Sequence, residues 1–255
     1  MQPLLINVAQ YGTWDEVTGN IDSALQRELR ELVAAPFAHD GTFVIVGSGP
    51  SVTEHIAQIR ADKDAGKTIC AIKGSHDWLI ENGITPDCFL SVEPRDRSDQ
   101  LKHKNEDTVY MLASRVHPNV FDALKDHKVL LWHSWSEAKE CEVIPKDKLQ
   151  IGGGTTSGLR AINVAYMLGY RKIKLYGFDS CLSKDKKRKR FTGEGPGQVI
   201  DVIVGDRTFW CTGALAQQAQ DFQQIYQVMD VTIESVGDGL ISAIIEERKK
   251  KGLPT

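Results

Sequence analysis

The sequence lacks any close pair of cysteines. Its five, Cys70, Cys88, Cys141, Cys181 and Cys211, are scattered, odd in number and never in a Cys-x-x-Cys spacing. A disulfide framework or a zinc site is therefore not expected, whereas buried thiols in a reducing compartment are. No apolar run approaches the roughly 18 residues that a membrane-spanning helix needs. The opening MQPLLINVAQYGTWDE lacks the basic start of a secretory leader. Both features point to a cytoplasmic chain with no membrane partner. An excess of one charge is also missing: 31 lysines and arginines stand against 34 aspartates and glutamates, a net charge of −3. That balance gives no global attraction to nucleic acid or anionic lipid. HExxH, nucleophile-elbow and metal-spaced His/Cys patterns are absent.

What the sequence does have is alternation. Residues 15–34 carry apolar positions at helical spacing and lead to a β-branched strand at Phe43–Val46. Helical spacing over 52–65, a strand at Thr68–Ile72, a brief helix at Asp77–Asn82 and a strand at Cys88–Val92 follow. Further strands are expected at Val109–Ala113 and Val129–Trp132, with a helix near Phe121–Lys125 between them. Then come a helix at Thr156–Leu168, a strand at Lys172–Tyr176, a helix at Ala214–Met229, a strand at Val231–Glu234 and a last helix from Leu240. Such alternation predicts an α/β, Rossmann-like fold, a mainly parallel sheet with helices on both faces. We expect one domain over residues 1–255, with a helical lead-in over 1–40 and a nucleotide-binding core over 40–245.

Two glycine-rich turns stand out. In the first, Gly47-Ser48-Gly49-Pro50-Ser51 follows a strand and precedes a helical segment, the order in which backbone amides can turn toward an anion. Ser51-Val52-Thr53-Glu54 also fits a capping box, so capping the helix is an alternative role for Ser51. A dinucleotide fingerprint fails here, because Val52 stands where the third glycine belongs and the second strand ends in Lys73-Gly74-Ser75 rather than an acid. In the second, Gly152-Gly153-Gly154-Thr155-Thr156-Ser157-Gly158 precedes a helix whose Leu159, Ile162, Ala165 and Tyr166 share a face. The next strand ends in Gly177-Phe178-Asp179, which places a carboxylate at its carboxyl end, where open α/β sheets bind ligands.

Taken in order, Gly47–Ser51, Asn82-Gly83-Ile84-Thr85-Pro86-Asp87, Gly154–Gly158, Leu168-Gly169-Tyr170 and Leu175–Asp179 resemble the 6-hydroxymethylpterin diphosphokinase MptE-like family. The likeness spans roughly residues 40–245. Bacterial sialyltransferases that use CMP-sialic acid show a related arrangement. The resemblance implies transfer of a diphosphate from ATP to a hydroxymethyl-type acceptor, with Mg²⁺. It places Gly47–Ser51 and Gly153–Gly158 around nucleotide phosphates and Asp179 on the same cleft. Glu93 stands where the family carries an acidic residue, commonly aspartate, after its third strand, so Asp179 and Glu93 are the implied catalytic and metal-holding pair.

Other candidates come from position alone. His76 follows the second strand, near the expected rim, as a general base or as part of a helix start. Arg115 follows another strand and can clamp a phosphate or make an ion pair. His133-Ser134-Trp135 ends a further strand, where it could stack on a base or be buried. Lys184–Arg190 reads KDKKRKR and lies in a biased stretch, 184–198, expected to be a mobile loop. Its Lys187, Arg188 and Arg190 could close over phosphates as a lid, touch nucleic acid, or stay solvated. The functional alternatives are a glycosyltransferase using a nucleotide-activated sugar, with a sugar or other small-molecule acceptor, and a non-catalytic nucleotide or nucleic-acid binder. A homo-oligomer is compatible with each.

Overall fold

The computed structural model describes residues 12–135, 138–188, 190–193 and 197–253. The expectations for the first eleven residues, Lys189 and the Cys141 side chain lie outside them. In chain order the elements are α1 (Trp14–Leu25), β1 (Arg30–Glu31), β2 (His39–Val46), α2 (Ile56–Asp64), β3 (Thr68–Ile72), α3 (Ser75–Glu81), β4 (Cys88–Ser91), β5 (Val109–Ala113), α4 (Pro118–Ala123), β6 (Val129–Ser134), α5 (Ala138–Val143), β7 (Gln150–Ile151), α6 (Ser157–Met167), β8 (Tyr170–Tyr176), β9 (Ile200–Val204), β10 (Arg207–Cys211), α7 (Gly213–Val228), β11 (Thr232–Val236) and α8 (Leu240–Lys250).

Among the described residues, nine strands form one parallel sheet in the order β1-β6-β5-β4-β3-β2-β8-β11, with β7 alongside β6. The chain steps from β2 outward to β6, returns, and then builds β8 and β11 on the opposite side of β2. The winding direction therefore reverses between β2 and β8, which end level at Val46 and Tyr176. Crossovers leave opposite faces of the sheet at such a reversal, and a crevice opens beyond the carboxyl ends of the strands.

The short apolar strands are buried on both sides because alternate residues point to opposite faces. Phe43 and Ile45 of β2 and Ile173 and Leu175 of β8 join Leu159 and Ile162 of α6 and Ile241 of α8 in one core. Val44 and Val46 of β2 and Tyr176 of β8 join Val52, Ile59 and Leu79 on the other. Four of the cysteines, Cys70, Cys88, Cys181 and Cys211, are buried free thiols. No helix of the described residues is long and apolar enough to cross a membrane.

Several elements differ from the sequence expectation. The lead-in helix stops at Leu25, and Arg30–Glu31 instead adds a strand beside β6. The segment after the first glycine loop is a 3₁₀ turn, Pro50–His55, before α2 begins. Its first position is capped by Gly49 without any side-chain bond, so the Ser51–Glu54 capping box does not form. A hairpin, β9–β10, had no expectation at all. It closes through Gly205-Asp206, with Gly205 in the left-handed region at φ +60°, a two-residue turn chemistry visible in the sequence. The hairpin matters because Thr212, directly after β10, caps α7 through Leu215 N at 3.4 Å.

His76 is a core residue, not a rim base. Its ring is 0% exposed, packs edge-on against Phe89, and bonds Asp77 at 2.8 Å through Nδ1 and the Tyr110 hydroxyl at 3.4 Å through Nε2. Burial pushes the imidazole below its ordinary value, against the opposing pull of Asp77. A group whose folded pKa is depressed lends stability that is present above the unfolded value, near 6.5, and lost as pH falls below it, because the unfolded chain takes the proton first. The melting temperature should therefore fall between about pH 7 and pH 5, and His76→Gln should flatten that slope. Thermal melts at matched pH values check it; an unchanged slope would show that His76 does not carry the effect.

Candidate functional site

A cavity of about 670 Å³ opens at the carboxyl ends of the strands where the winding reverses. Gly47, Ser48 and Gly49 line it from the first glycine loop, and Gly153 to Gly158 from the second. Its volume suits a ligand of nucleotide size. The two loops, far apart in the chain, thus share one hollow.

Phe178, just after β8, holds them against each other. A Cβ on Gly158 would lie 2.8 Å from the ring and one on Gly47 3.3 Å from it. The ring therefore sits between two glycines, closer than side chains comfortably allow. The first loop is further tied to the β8 end: Gly47 N donates to Tyr176 O and Gly49 N to Gly177 O, both at 2.8 Å. Ser51 N donates to Asp179 Oδ2 at 3.2 Å. These amides are occupied by the protein, so the first loop is a packed junction more than an open row of anion donors. Pro50 and Ser51 do not line the cavity.

The second loop is the open one. Gly153 and Gly154 take φ +119° and +66°, where a side chain would be strained. Thr156 caps α6, its Oγ1 accepting from Leu159 N at 3.3 Å and from Gln218 of α7 at 3.3 Å. Thr155 donates its N–H at 3.0 Å and its hydroxyl at 2.8 Å to Asp221 of α7. Ser157 and Gly158 then bring the first turn of α6 to the cavity wall. Amides at that position have no partner within the helix, and the dipole there favours an anion.

Four cations line the same cavity: Lys73, Arg115, Arg160 and Arg190. Lys73 sits in the left-handed region at φ +52°, a costly conformation for a residue with a side chain. Burial lowers its pKa, and the ion pair with Glu93 at 3.0 Å works in the opposite direction. Arg115 pairs with the fully buried Glu140. Arg160, on the inner face of α6, is 4% exposed. Burial, then repulsion from Arg115, lowers its pKa to about 10. Its Nη1 reaches the Trp135 carbonyl at 3.4 Å, while its Nε makes no hydrogen bond among the described residues. The buried hydroxyls of Ser157 and Ser180, also on the wall, likewise make none. Ser180 too is left-handed, at φ +48°. Unmade hydrogen bonds of this kind cost about 1–3 kcal/mol each, and three of them face one cavity.

The expected acids are placed differently from their reading. Asp179 is not on the cavity wall; its carboxylate lies behind the first loop, against Gly49 and Ser51 N. Burial raises its pKa, which the hydrogen bonds from Ser51 oppose. Glu93 does line the cavity but is ion-paired: Arg95 grips it at 2.7 and 3.0 Å and Lys73 at 3.0 Å. Burial pushes its carboxyl up, and these partners outweigh that and hold it at about 2. Among the described residues of the basic stretch, only Arg190 lines the cavity; Lys187 and Arg188 are exposed elsewhere. The stretch is also anchored. Ser183 N donates to Arg188 O at 2.9 Å, Phe191 N to Ser48 O at 3.1 Å, and Phe191 packs on Trp78. Within His133-Ser134-Trp135, the first two are buried and Trp135, 56% exposed, lies on the cavity lip beside Gly152.

Sequence reading alone did not find Lys73, Arg160, Ser180, Gln218 or Asp221. Arg160 was the legible one: an arginine among Leu159, Ala161 and Ile162, one turn into a helix after a glycine loop. Gln218 and Asp221 depended on where the hairpin delivers α7.

The family profile described as "6-hydroxymethylpterin diphosphokinase MptE-like" matches residues 15–185. A curated relative, the 6-hydroxymethyl-7,8-dihydropterin pyrophosphokinase of Methanothermobacter thermautotrophicus, is 28% identical over 137 residues, which are 54% of this chain and 56% of the relative. The match thus spans little more than half the length of that protein. Among solved structures, the MAf glycosyltransferase from Magnetospirillum magneticum AMB-1 superposes with a TM-score of 0.69 at 17% identity, covering 95% of this chain and 42% of that one. At that identity the likeness is one of fold.

Two substitutions test the junction. Gly158→Ala drives a methyl group into the Phe178 ring and should destabilise the protein by roughly 1–3 kcal/mol. Asp179→Ala should cost about 1–3 kcal/mol by stripping Ser51 N of its acceptor, whereas Asp179→Asn, which keeps a carbonyl oxygen, should cost less. Denaturant melts measure both; an Asp179→Ala protein as stable as the parent would overturn the bracing role.

Proposed function

The chain belongs to the 6-hydroxymethylpterin diphosphokinase MptE-like family, and on that premise we propose that it is a transferase whose nucleotide donor lies across the two glycine loops. The observation that carries the reading is the set of buried, unpartnered groups, Ser157 Oγ, Ser180 Oγ and Arg160 Nε, on one cavity at the α6 N-terminus. In this reading the transferred group is a diphosphate from ATP and the acceptor carries a hydroxymethyl group. The acceptor oxygen bonds to the β-phosphorus of ATP, the bond from that phosphorus to the α-phosphate bridging oxygen breaks, and AMP leaves with the bonding electrons. The acceptor's hydroxyl proton passes to solvent.

The protein's contribution is position and charge. The first turn of α6 and Ser157 hold phosphate oxygens, and Arg160, Arg190 and Lys73 offset their charge as the transition state forms. Gln218 and Gln224 of α7 and Trp135 at the lip are left for the base or the acceptor. Mg²⁺ is the cation the family reading implies. The carboxylates do not fit it as protein ligands, since Asp179 faces the back of the first loop and Glu93 is held by Arg95 and Lys73. No group of three His, Cys, Asp or Glu able to hold a metal occurs among the described residues.

A second reading is transfer of a sugar from a nucleotide-activated donor. The amide side chains of α7 favour it, because they suit hydroxyl groups, and the glycosyltransferase fold match agrees with it.

Thermal-shift assays with ATP, CMP, CMP-sugars and UDP-sugars separate these. A saturating donor should raise the melting temperature by about 5 °C or more. A shift with ATP, with AMP formed when a hydroxymethylpterin is added, supports diphosphate transfer. A shift only with CMP or UDP derivatives replaces it with the second reading. No shift with any nucleotide sinks both.

A further inference from the structure

The cavity is lined by several cations, and the described carboxylates on or beside it are engaged by other groups. Lys73, Arg115, Arg160 and Arg190 line it, with Arg95 beside Glu93, and the described carboxylates Glu93, Glu140 and Asp221 stand on or beside it. We infer that this site binds the phosphates of its ligand with side-chain cations in the place of a divalent metal, so that binding is metal-independent. The inference rests on the nucleotide reading of the same cavity.

The case rests on how each carboxylate is engaged. Both oxygens of Glu93 accept from cations: Oε1 from Arg95 Nε at 2.7 Å, and Oε2 from Arg95 Nη2 and Lys73 Nζ, each at 3.0 Å. Both oxygens of Asp221 are also taken, Oδ2 by Thr155 and Oδ1 by Gln217 at 2.7 Å. Glu140 is fully buried, bound to Arg115 and 3.3 Å from Ser134 Oγ. Asp179 faces Ser51 N behind the loop. A Mg²⁺ ion wants near-octahedral oxygen ligands at short distance. To bind a carboxylate here it would have to break an ion pair or release the second glycine loop.

The cations are placed for the opposite task. Arg160 projects from the α6 turn that already offers its amides, and its Nε is buried without a partner. Lys73, held in a left-handed conformation at the end of β3, lines the wall beside Glu93. Arg190 lines the cavity just before Phe191, whose N–H is fastened to Ser48 O. Guanidinium groups match phosphate geometry with paired donors and remain charged at any physiological pH. Arg160 of α6, Lys73 after β3 and Arg190 thus line one cavity.

Isothermal titration of the full chain with ATP, CMP and inorganic pyrophosphate, in EDTA and in excess Mg²⁺, tests this. At least one probe should bind in EDTA with a Kd within about threefold of its value in Mg²⁺. Arg190→Gln, at an exposed position, should weaken that binding about tenfold in EDTA without changing the melting temperature. Arg160→Gln should weaken it at least as much, with folding checked by circular dichroism. A probe that binds only with Mg²⁺, or an Arg190→Gln protein that binds as tightly as the parent, overturns the inference and leaves the nucleotide reading intact. No binding of any probe in either buffer overturns both.

Discussion

The site depends on one contact, the Phe178 ring held between Gly47 and Gly158. That ring closes the gap at which the sheet reverses direction and fixes the distance between two loops from distant parts of the chain. A side chain at Gly158 would meet the ring at 2.8 Å, and one at Gly47 would meet the Gly177 carbonyl at 2.7 Å. Around it, backbone bonds from Gly47 and Gly49 to the β8 end and the Asp179 carboxylate behind Ser51 make the first loop a rigid abutment. The second loop, braced by Asp221 through Thr155, stays available to a ligand.

This division of labour explains the unusual energetics of the wall. Lys73 and Ser180 adopt left-handed backbone conformations, and Arg160, Ser157 and Ser180 keep buried polar atoms without partners. Each is a local loss of the order of 1–3 kcal/mol. All four residues line one cavity, above a core of apolar strands buried on both faces and packed by helices. A stable sheet can support a strained rim. In the proposed function, the gain comes when an anion satisfies the donors together, without any reorganisation of the loops at the moment of reaction.

The comparisons fit this picture at different depths. Family membership covers the sheet through β8, where both glycine loops lie. The fold match covers 95% of the chain, more than the family profile does, and Gln218, Asp221 and Gln224 of α7 complete the wall outside that profile. The α7 side of the wall thus lies outside the matched family residues, while both glycine loops lie inside them. Chemistry on such a fold is decided by wall residues rather than by the sheet.

The sequence by itself determined the alternation of strands and helices, the parallel sheet, and the two glycine loops at strand ends. It could do so because period-two burial, helical spacing and glycine turns are local properties. It missed the β9–β10 hairpin although its Gly205-Asp206 turn was there to read, and it placed His76 and Asp179 only as near the rim. Which way those side chains point was decided by tertiary packing. The left-handed bend and loop closure at the β8 end turn Asp179 behind Gly49, and the aromatic rings of Phe89 and Tyr110 draw His76 into the core. The cationic wall was likewise beyond the sequence: Lys73, Arg115, Arg160 and Arg190 belong to different elements, and only the reversal of the sheet between β2 and β8 gathers them around one space.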